Sequence, residues 1–447
     1  MTARELADKI ARTLREAGHQ AYFVGGCVRD LELGREPADY DISTDARPEP
    51  VQELFPDSLA IGAQFGVILV TEDGAEVEVA TFRSDVGYSD SRHPDRVVYT
   101  NSAKEDVLRR DFTINGLLLD PRSNEVLDYV NGRADLRAHI IRAIGEPERR
   151  FREDKLRLVR AVRFAARFNF AIEAKTAAAI RSLAPEILVV SAERLRDELT
   201  KILTEGAARR GFELLDELGL LPHVLPEIAR MKGVEQPPQF HPEGDVWIHT
   251  LLMLEMLPAG TSPTLAWGAL LHDVGKPPTF APPTGPEGRI RFDGHVEVGT
   301  KMAEEICRRF RFSNDDTEQI SLLVANHLRF KDVPHMRQST LKRFLRLPRF
   351  EEHLELHRLD CLSSHRNLEN YEFVQRFLAE TPPAEVRPAR LISGDDLIGL
   401  GLQPGPDFKE ILRNVEDAQL EGRIRSRDEA LALARQALAD KSRPATN

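Results

Sequence analysis

Asp39 and Asp41 stand two residues apart in the run PADYDIST. On a strand, side chains at that spacing project from one face. Two carboxylates on one face repel unless a cation lies between them. Mg²⁺ prefers such oxygen ligands and keeps positions open for phosphate. Two ions held this way would activate an attacking hydroxyl and stabilise a leaving phosphate in an in-line displacement. Upstream, Gly25 and Gly26 close the strand-like AYFV and open a helix reading CVRDLELG. Glycine lets backbone approach a phosphate closely, and a helix start attracts anions. Arg29, one turn in, is placed to reach the same triphosphate. Glu78, in VEVATFR on a later strand, would complete the metal site; a charged strand edge explains it almost as well.

Histidine is the second chemical signal. Nine of the 13 histidines lie between His241 and His365. Such clustering points to a metal. Cys27, Cys307 and Cys361 are too far apart for a disulfide scaffold or a CxxC zinc site, so a reducing cytoplasm is the expected compartment. The net charge of −11 argues against nucleic acid when read globally. Between Arg142 and Arg167, however, nine cations face four acids, enough to hold phosphates within an acidic protein.

These residues need elements to position them. The chain has 447 residues, 41% apolar and 30% charged, which predicts a globular protein of about two to four domains. No apolar run approaches a membrane helix, so no membrane partner is expected. Residues 1–140 alternate helix and strand signals, with GVILVTED and AEVEVATFR alternating at period two. Residues 141–234 read as helical. EQPPQFHPEGD (235–245) reads as a linker into a helical, histidine-bearing region that ends near 370. The last segment, 371–447, reads as a helical tail with a turn at GLQPGPDF. The expected domains are therefore 1–140, 141–234, 235–370 and 371–447.

VGGCVRD followed by DYDIST resembles motif A of the bacterial class II tRNA nucleotidyltransferase and poly(A) polymerase family, part of the polymerase-β-like superfamily. RRDFTINGL (109–117) resembles motif B, REDKLRLVRAVRF (152–164) motif D, and ERLRDELTKIL (193–203) motif E. With the tail, the resemblance covers nearly the whole chain. It implies an α/β + all-α protein: a polymerase-β-like head, a helical neck and body, a helical HD domain and a helical tail. In motif B it implies that Arg110 pairs with phosphate while Asp111 and Asn115 offer an acceptor and a donor to ribose hydroxyls. Without it, that stretch reads as a loop entering an apolar helix.

Glu153 to Arg157 matches the EDxxR pattern of motif D. At i, i+3 on a helix, Asp154 and Arg157 are neighbours and resemble half of a base-pairing edge. Cytosine and adenine each fit one donor plus one acceptor. Uracil and guanine would leave buried groups unpaired, at about 1–3 kcal/mol each. An ordinary ion pair on a helix surface has the same spacing. The resemblance also carries nucleotide contacts to Arg160 and Arg163.

The run from Arg83 to Thr100 resembles the family's flexible loop, with its pattern at Asp85, Tyr88, Asp90, Arg92 and Pro94. Relatives that add only CC lack this loop. CCA addition to tRNA from CTP and ATP, with Mg²⁺, is the favoured reading over an A-adding enzyme or a poly(A) polymerase. His249, His272-Asp273, His295, His327 and Asp360 follow the order of an HD-superfamily phosphohydrolase. The resemblance implies that His249, His272, Asp273 and Asp360 hold one metal and that His295 and His327 complete a second site. Mn²⁺, Fe²⁺ or Ni²⁺ suits such ligands, and Lys276 would steady a phosphate. Implied substrates are 2′,3′-cyclic phosphates and phosphomonoesters at RNA ends. The rival of another class is an HD phosphohydrolase whose head only binds RNA.

Overall fold

A computed structural model describes all residues except 63–65, 88–95, 240, 284–287 and 443–447. Most of the flexible-loop pattern, Tyr88, Asp90, Arg92 and Pro94, lies outside the described residues. The chain forms two compact units. One comprises Met1–Lys232 with Leu254–Ala266 and Cys307–Phe312; the other comprises Gly233–Met253, Trp267–Ile306 and the chain from Ser313 onward. No described helix is long and apolar enough to cross a membrane.

The first unit opens on the helix Ala3–Glu16, started by a capping box between Thr2 and Glu5. Its buried positions, Leu6, Ala7, Ile10, Ala11 and Leu14, recur every three or four residues and form one apolar stripe. The strands follow as β1 (Ala21–Val24), β2 (Asp41–Thr44), β3 (Leu59–Gly62), β4 (Val67–Glu72) and β5 (Ala75–Thr81), then β6 (Arg83–Val86), β7 (Arg96–Tyr99), β8 (Leu117–Asp120) and β9 (Glu125–Asp128). Seven of them make one sheet in the order β3-β4-β5-β2-β1-β8-β9, while β6 and β7 pair separately. Only β2 and β5 run parallel within the seven. In β5, Val77 and Val79 are buried while Glu76 and Glu78 are exposed, the period-two pattern of a half-buried strand.

Two expectations for this unit change. Asp39 precedes β2 rather than lying within it, although the alternation of exposed Asp39, buried Tyr40, half-buried Asp41 and buried Ile42 runs through the boundary. Motif B leads through the tight turn Thr113–Asn115 into β8, not into a helix. The run LLLD is short and pairs with β1 and β9. A short apolar run is ambiguous until its neighbours are known.

Beyond the sheet, the helix Leu156–Phe168 is buried on nearly every side. It packs against the helices Ala192–Thr204 and Ala208–Glu217. The last two approach closely because position 211 is glycine: a Cβ there would meet Ile202 Cγ2 at 2.3 Å.

The second unit is helical. Phe330, Phe344, Phe350 and Val374 anchor one of its cores. A separate tail core gathers Leu397, Ile411, Val415 and Ala434. Gly275, just after His272-Asp273, lies against the start of the helix His295–Arg309. A Cβ on Gly275 would meet His295 O at 2.1 Å and Gly299 N at 2.6 Å. The helix bearing His295 comes this close because position 275 lacks a side chain.

Gly275→Ala is therefore expected to destabilise this unit by about 2 kcal/mol or more, read as a lower urea midpoint. A second prediction concerns pH. His353 is 1% exposed, and its Nε2 has no partner among the described residues. Burial, and then Arg329, push its imidazole down to about 4. Its ordinary value is 6.5, so below that pH the unfolded chain takes up a proton that the folded one refuses. Stability is expected to fall from pH 6.5 to 4, by up to roughly 3 kcal/mol from this residue. Urea titrations of wild type and His353→Phe across that window check it; equal pH slopes refute it.

Candidate active sites

In the head, Asp41 stands directly across from Glu78 in the parallel β2–β5 register. Burial pushes the Asp41 carboxyl up to about 6, and the Glu78 and Asp39 carboxylates push the same way, against Arg110. This like-charge group is one that a cation would relieve. The carboxylates are the hard oxygen donors that suit Mg²⁺.

Arg110 lies beside them. Its Nη2 donates to Ser43 Oγ at 3.0 Å and to Asp106 at 2.9 Å, and its buried Nε has no partner among the described residues. Asp106 is fully buried and also holds Arg109. Gly25, at φ +73°, brings the start of the helix Gly26–Glu32 beneath this guanidinium, 3.6 Å from where a Cβ would stand. The glycine turn, one arginine and three carboxylates thus meet around the start of β2, in the middle of the sheet.

Arg29 is placed differently from the expectation of a free triphosphate contact. It is 5% exposed, donates to Asn115 Oδ1 at 2.7 Å and stacks over Phe168. Asn115 in turn donates to Asp111 at 3.1 Å. The other Asp111 oxygen accepts two hydrogen bonds from Arg160, at 3.0 and 2.8 Å. Burial opposes ionisation of Asp111, but Arg160 and then Arg157 outweigh it and hold the carboxyl down to about 2. Arg163 is buried against Glu198 at 2.6 Å.

Asp154 and Arg157 are not on one helix. Asp154 is extended, at φ −148° and ψ 106°, in the break between the helices Pro147–Glu153 and Leu156–Phe168. Its carboxylate caps Leu156 N and accepts from both terminal nitrogens of Arg194, at 3.2 and 2.8 Å. Arg157 donates to Glu153 and to the carbonyls of Arg150 and Arg109. The two side chains have separate partners instead of pairing with each other. Arg194 and Glu198 had no assigned role in the sequence reading, although both lie inside the motif E run.

The second site draws five elements together. His249 comes from the helix Val246–Glu255, and His272 and Asp273 from the turn after Pro263–Leu271. His295 and His327 open their own helical segments, and Asp360 lies on Phe350–Ser363. The ligand atoms of His249, His272 and Asp360 lie within 4.8 Å of one another, as do those of Asp273, His295 and His327. Nδ1 of His272, His295 and His327 each meets a carbonyl three residues back, at 2.9, 2.8 and 2.7 Å. A carbonyl only accepts, so Nδ1 carries the proton and Nε2 offers a lone pair inward. Nε2 of His295 and of His327 is buried with no hydrogen-bond partner among the described residues. Imidazole nitrogens directed at a shared carboxylate fit a transition metal.

Two neighbours escaped the sequence reading. Glu243 Oε1 lies 2.8 Å from His249 Nδ1 and 2.9 Å from His241 Nδ1. Burial opposes a charge on His249, but Asp360 and Glu243 outweigh it and lift the imidazole to about 9. Gln236, 4% exposed, accepts from Lys276 at 2.6 Å. The expected linker 235–245 is thus partly a wall of the site through Gln236 and Glu243, while Pro238, Pro242 and Gly244 are exposed. Lys276, expected beside a phosphate, is buried and also bonded to Asp273 at 2.6 Å.

A polymerase-type head and an HD-type histidine cluster define a nucleotidyltransferase joined to an HD domain. Residues 21–142 match the poly A polymerase head domain, 169–232 the probable RNA and SrmB-binding site of polymerase A, and 246–360 the HD domain. A CCA-adding enzyme of Levilactobacillus brevis is 30% identical over 96% of this chain and 97% of its own. One of Lactobacillus helveticus is 41% identical over 55% of this chain and 63% of its own. The crystal structure of the Bacillus stearothermophilus CCA-adding enzyme in complex with CTP superposes with a TM-score of 0.74, at 26% identity and 98% coverage of both chains. This chain belongs to the CCA-adding enzyme family, whose members are tRNA nucleotidyltransferases. Both nucleotidyltransferase and HD domains imply use of divalent metal ions.

Glu243→Gln keeps the shape but weakens the acceptor that orients His249. Divalent metal affinity of the HD unit is expected to fall roughly 10–100-fold, read by competition with a chelating dye. An unchanged affinity would show that Glu243 does not orient the ligand.

Proposed function

We propose that this chain adds C, C and A to tRNA 3′ ends from CTP and ATP. The observation that carries the reading is the in-register Asp41–Glu78 pair beside Arg110 and the glycine turn. It sets a cation-seeking carboxylate group next to a phosphate-seeking guanidinium. Asp39, Asp41 and Glu78 would hold Mg²⁺. When bound, the ions supply activation of the attacking 3′-hydroxyl and charge stabilisation for the leaving pyrophosphate. Arg110 grips the triphosphate, with Gly25 and Gly26 allowing close approach. Asp111 and Asn115 face the ribose once a nucleotide competes for Arg160 and Arg29. Asp154, steadied by Arg194, accepts from the exocyclic amine of the base, and Arg157 donates to its ring acceptor. Arg160 contacts the nucleotide beside them, and Arg163 holds the helix through Glu198.

The histidine cluster supports a second activity, hydrolysis of 2′,3′-cyclic phosphates or phosphomonoesters at RNA ends. The observation favouring it is the pair of unpartnered Nε2 atoms on His295 and His327. A bound transition metal such as Mn²⁺, Fe²⁺ or Ni²⁺ supplies Lewis acidity toward the phosphoester. His249, His272, Asp273 and Asp360 would hold one ion and His295 and His327 would complete a second site, with Lys276 keeping Asp273 in position.

The purified protein with Mg²⁺ is expected to add two C residues from CTP alone to tRNA ending at the discriminator base, then one A from ATP. Asp41→Asn is expected to slow this roughly 10³-fold or more. Use of ATP alone, on the same tRNA or as a long tail on unstructured RNA, would instead mark an A-adding or polyadenylating enzyme. Retained addition in Asp41→Asn would overturn the catalytic assignment.

A further inference from the structure

A cavity of about 430 Å³ opens beside the histidine cluster. Its lining includes His327 and Asp360, one ligand from each of the two trios. A phosphoester held at the cluster would therefore extend its ester substituent into this cavity. Leu328, Cys361 and His357 form the apolar part of the wall. The His357 ring is fixed by stacking on Phe330, with centroids 4.4 Å apart and planes within 4°.

The rim carries polar groups of a particular kind. Lys331 is exposed and has no ion pair or hydrogen bond among the described residues, and the Asn370 amide likewise has no partner there. His365 Nδ1 accepts from Asn367 N at 3.0 Å, which leaves the ring N–H on Nε2. This loop turns through Arg366 at φ +59°, a left-handed conformation that costs a non-glycine residue roughly 1 kcal/mol. Glu369, the one rim carboxylate, accepts from Asn367 Nδ2 at 3.2 Å. With Asp360 deeper in the wall, Lys331 faces two carboxylates, so the cavity does not attract a polyanion. It offers donors and an amide to a neutral, hydrogen-bonding group, and the volume falls in the range of pockets for small ligands.

We infer that this cavity recognises the single nucleoside of a phosphoester bound at the histidine cluster, with Lys331, His365 and Asn370 as its specificity residues. The inference rests on the phosphohydrolase reading above. Lys331 lies one helical turn from His327 and reaches the phosphate or ribose oxygens. Asn370 and His365 meet the ribose and base.

The test uses the full-length protein loaded with Mn²⁺. Cytidine 3′-monophosphate is titrated by calorimetry. Hydrolysis of cytidine 2′,3′-cyclic phosphate is compared with that of bis(p-nitrophenyl) phosphate, which lacks ribose and base. Lys331→Gln and Asn370→Ala are each expected to weaken cytidine 3′-monophosphate binding about tenfold. They are expected to raise KM for the cyclic ester similarly, with kcat within about twofold and metal content unchanged. Two results overturn the inference: unchanged affinity and KM in both variants, or equal kcat/KM of wild type on the two esters. If the wild type hydrolyses neither ester, the phosphohydrolase reading fails, and the calorimetric comparison of wild type with the variants alone decides whether the cavity is a nucleoside pocket.

Discussion

Carboxylates forced into contact raise the free energy of a fold unless positive charge lies among them, and both candidate sites are arranged around that constraint. In the head, the parallel register sets Asp41 beside Glu78, and the Asp41 carboxyl is driven up to about 6. In the histidine cluster, the buried Asp273 carboxylate is held by Lys276 and His272, and Asp360 by His249. Buried acids elsewhere in the first unit have their charge met from within the chain: Asp106 by Arg109 and Arg110, Asp111 by Arg160, Glu198 by Arg163. Among the described residues Asp41 has no such dedicated ion-pair partner; its neighbours Glu78 and Asp39 are themselves carboxylates.

The same accounting explains the arginine-rich stretch from Arg142 to Arg167. A run of cations invites the reading of an open phosphate-binding surface. Instead, Arg150 and Arg157 donate to backbone carbonyls of Leu108 and Arg109 and to Glu153, while Arg160 and Arg163 are committed to Asp111 and Glu198. These bonds tie motif B to the helix of motif D, and motif D to motif E. Arg194 likewise engages both oxygens of Asp154, tying motif E to the break that precedes the helix Leu156–Phe168.

Much of this was open to reading from local sequence. Period-two alternation located β4 and β5. The spacing of Asp39 and Asp41 and the order of the histidines singled out residues that lie close together in the structure. Readings failed where a short run had two possible partners, as with LLLD, or where a helix broke without proline or glycine, as at Asp154. The described residues of 235–245 form neither helix nor strand, as their composition suggested, but Gln236 and Glu243 owe their contacts to what folds against them.

The sequence by itself determined the inventory: which acids, imidazoles and guanidiniums are present, in what order, and on which kind of element. It also determined the family, because four motifs in order leave little freedom. The tertiary structure decided the pairings. That Asp41 meets Glu78, that Asp154 meets Arg194, and that Gly275 lets the His295 helix approach are facts of register and close packing between distant segments. Spacing along a chain fixes which side of an element a residue occupies. It carries no information about what lies across from that side, because that depends on the burial of every other element at once.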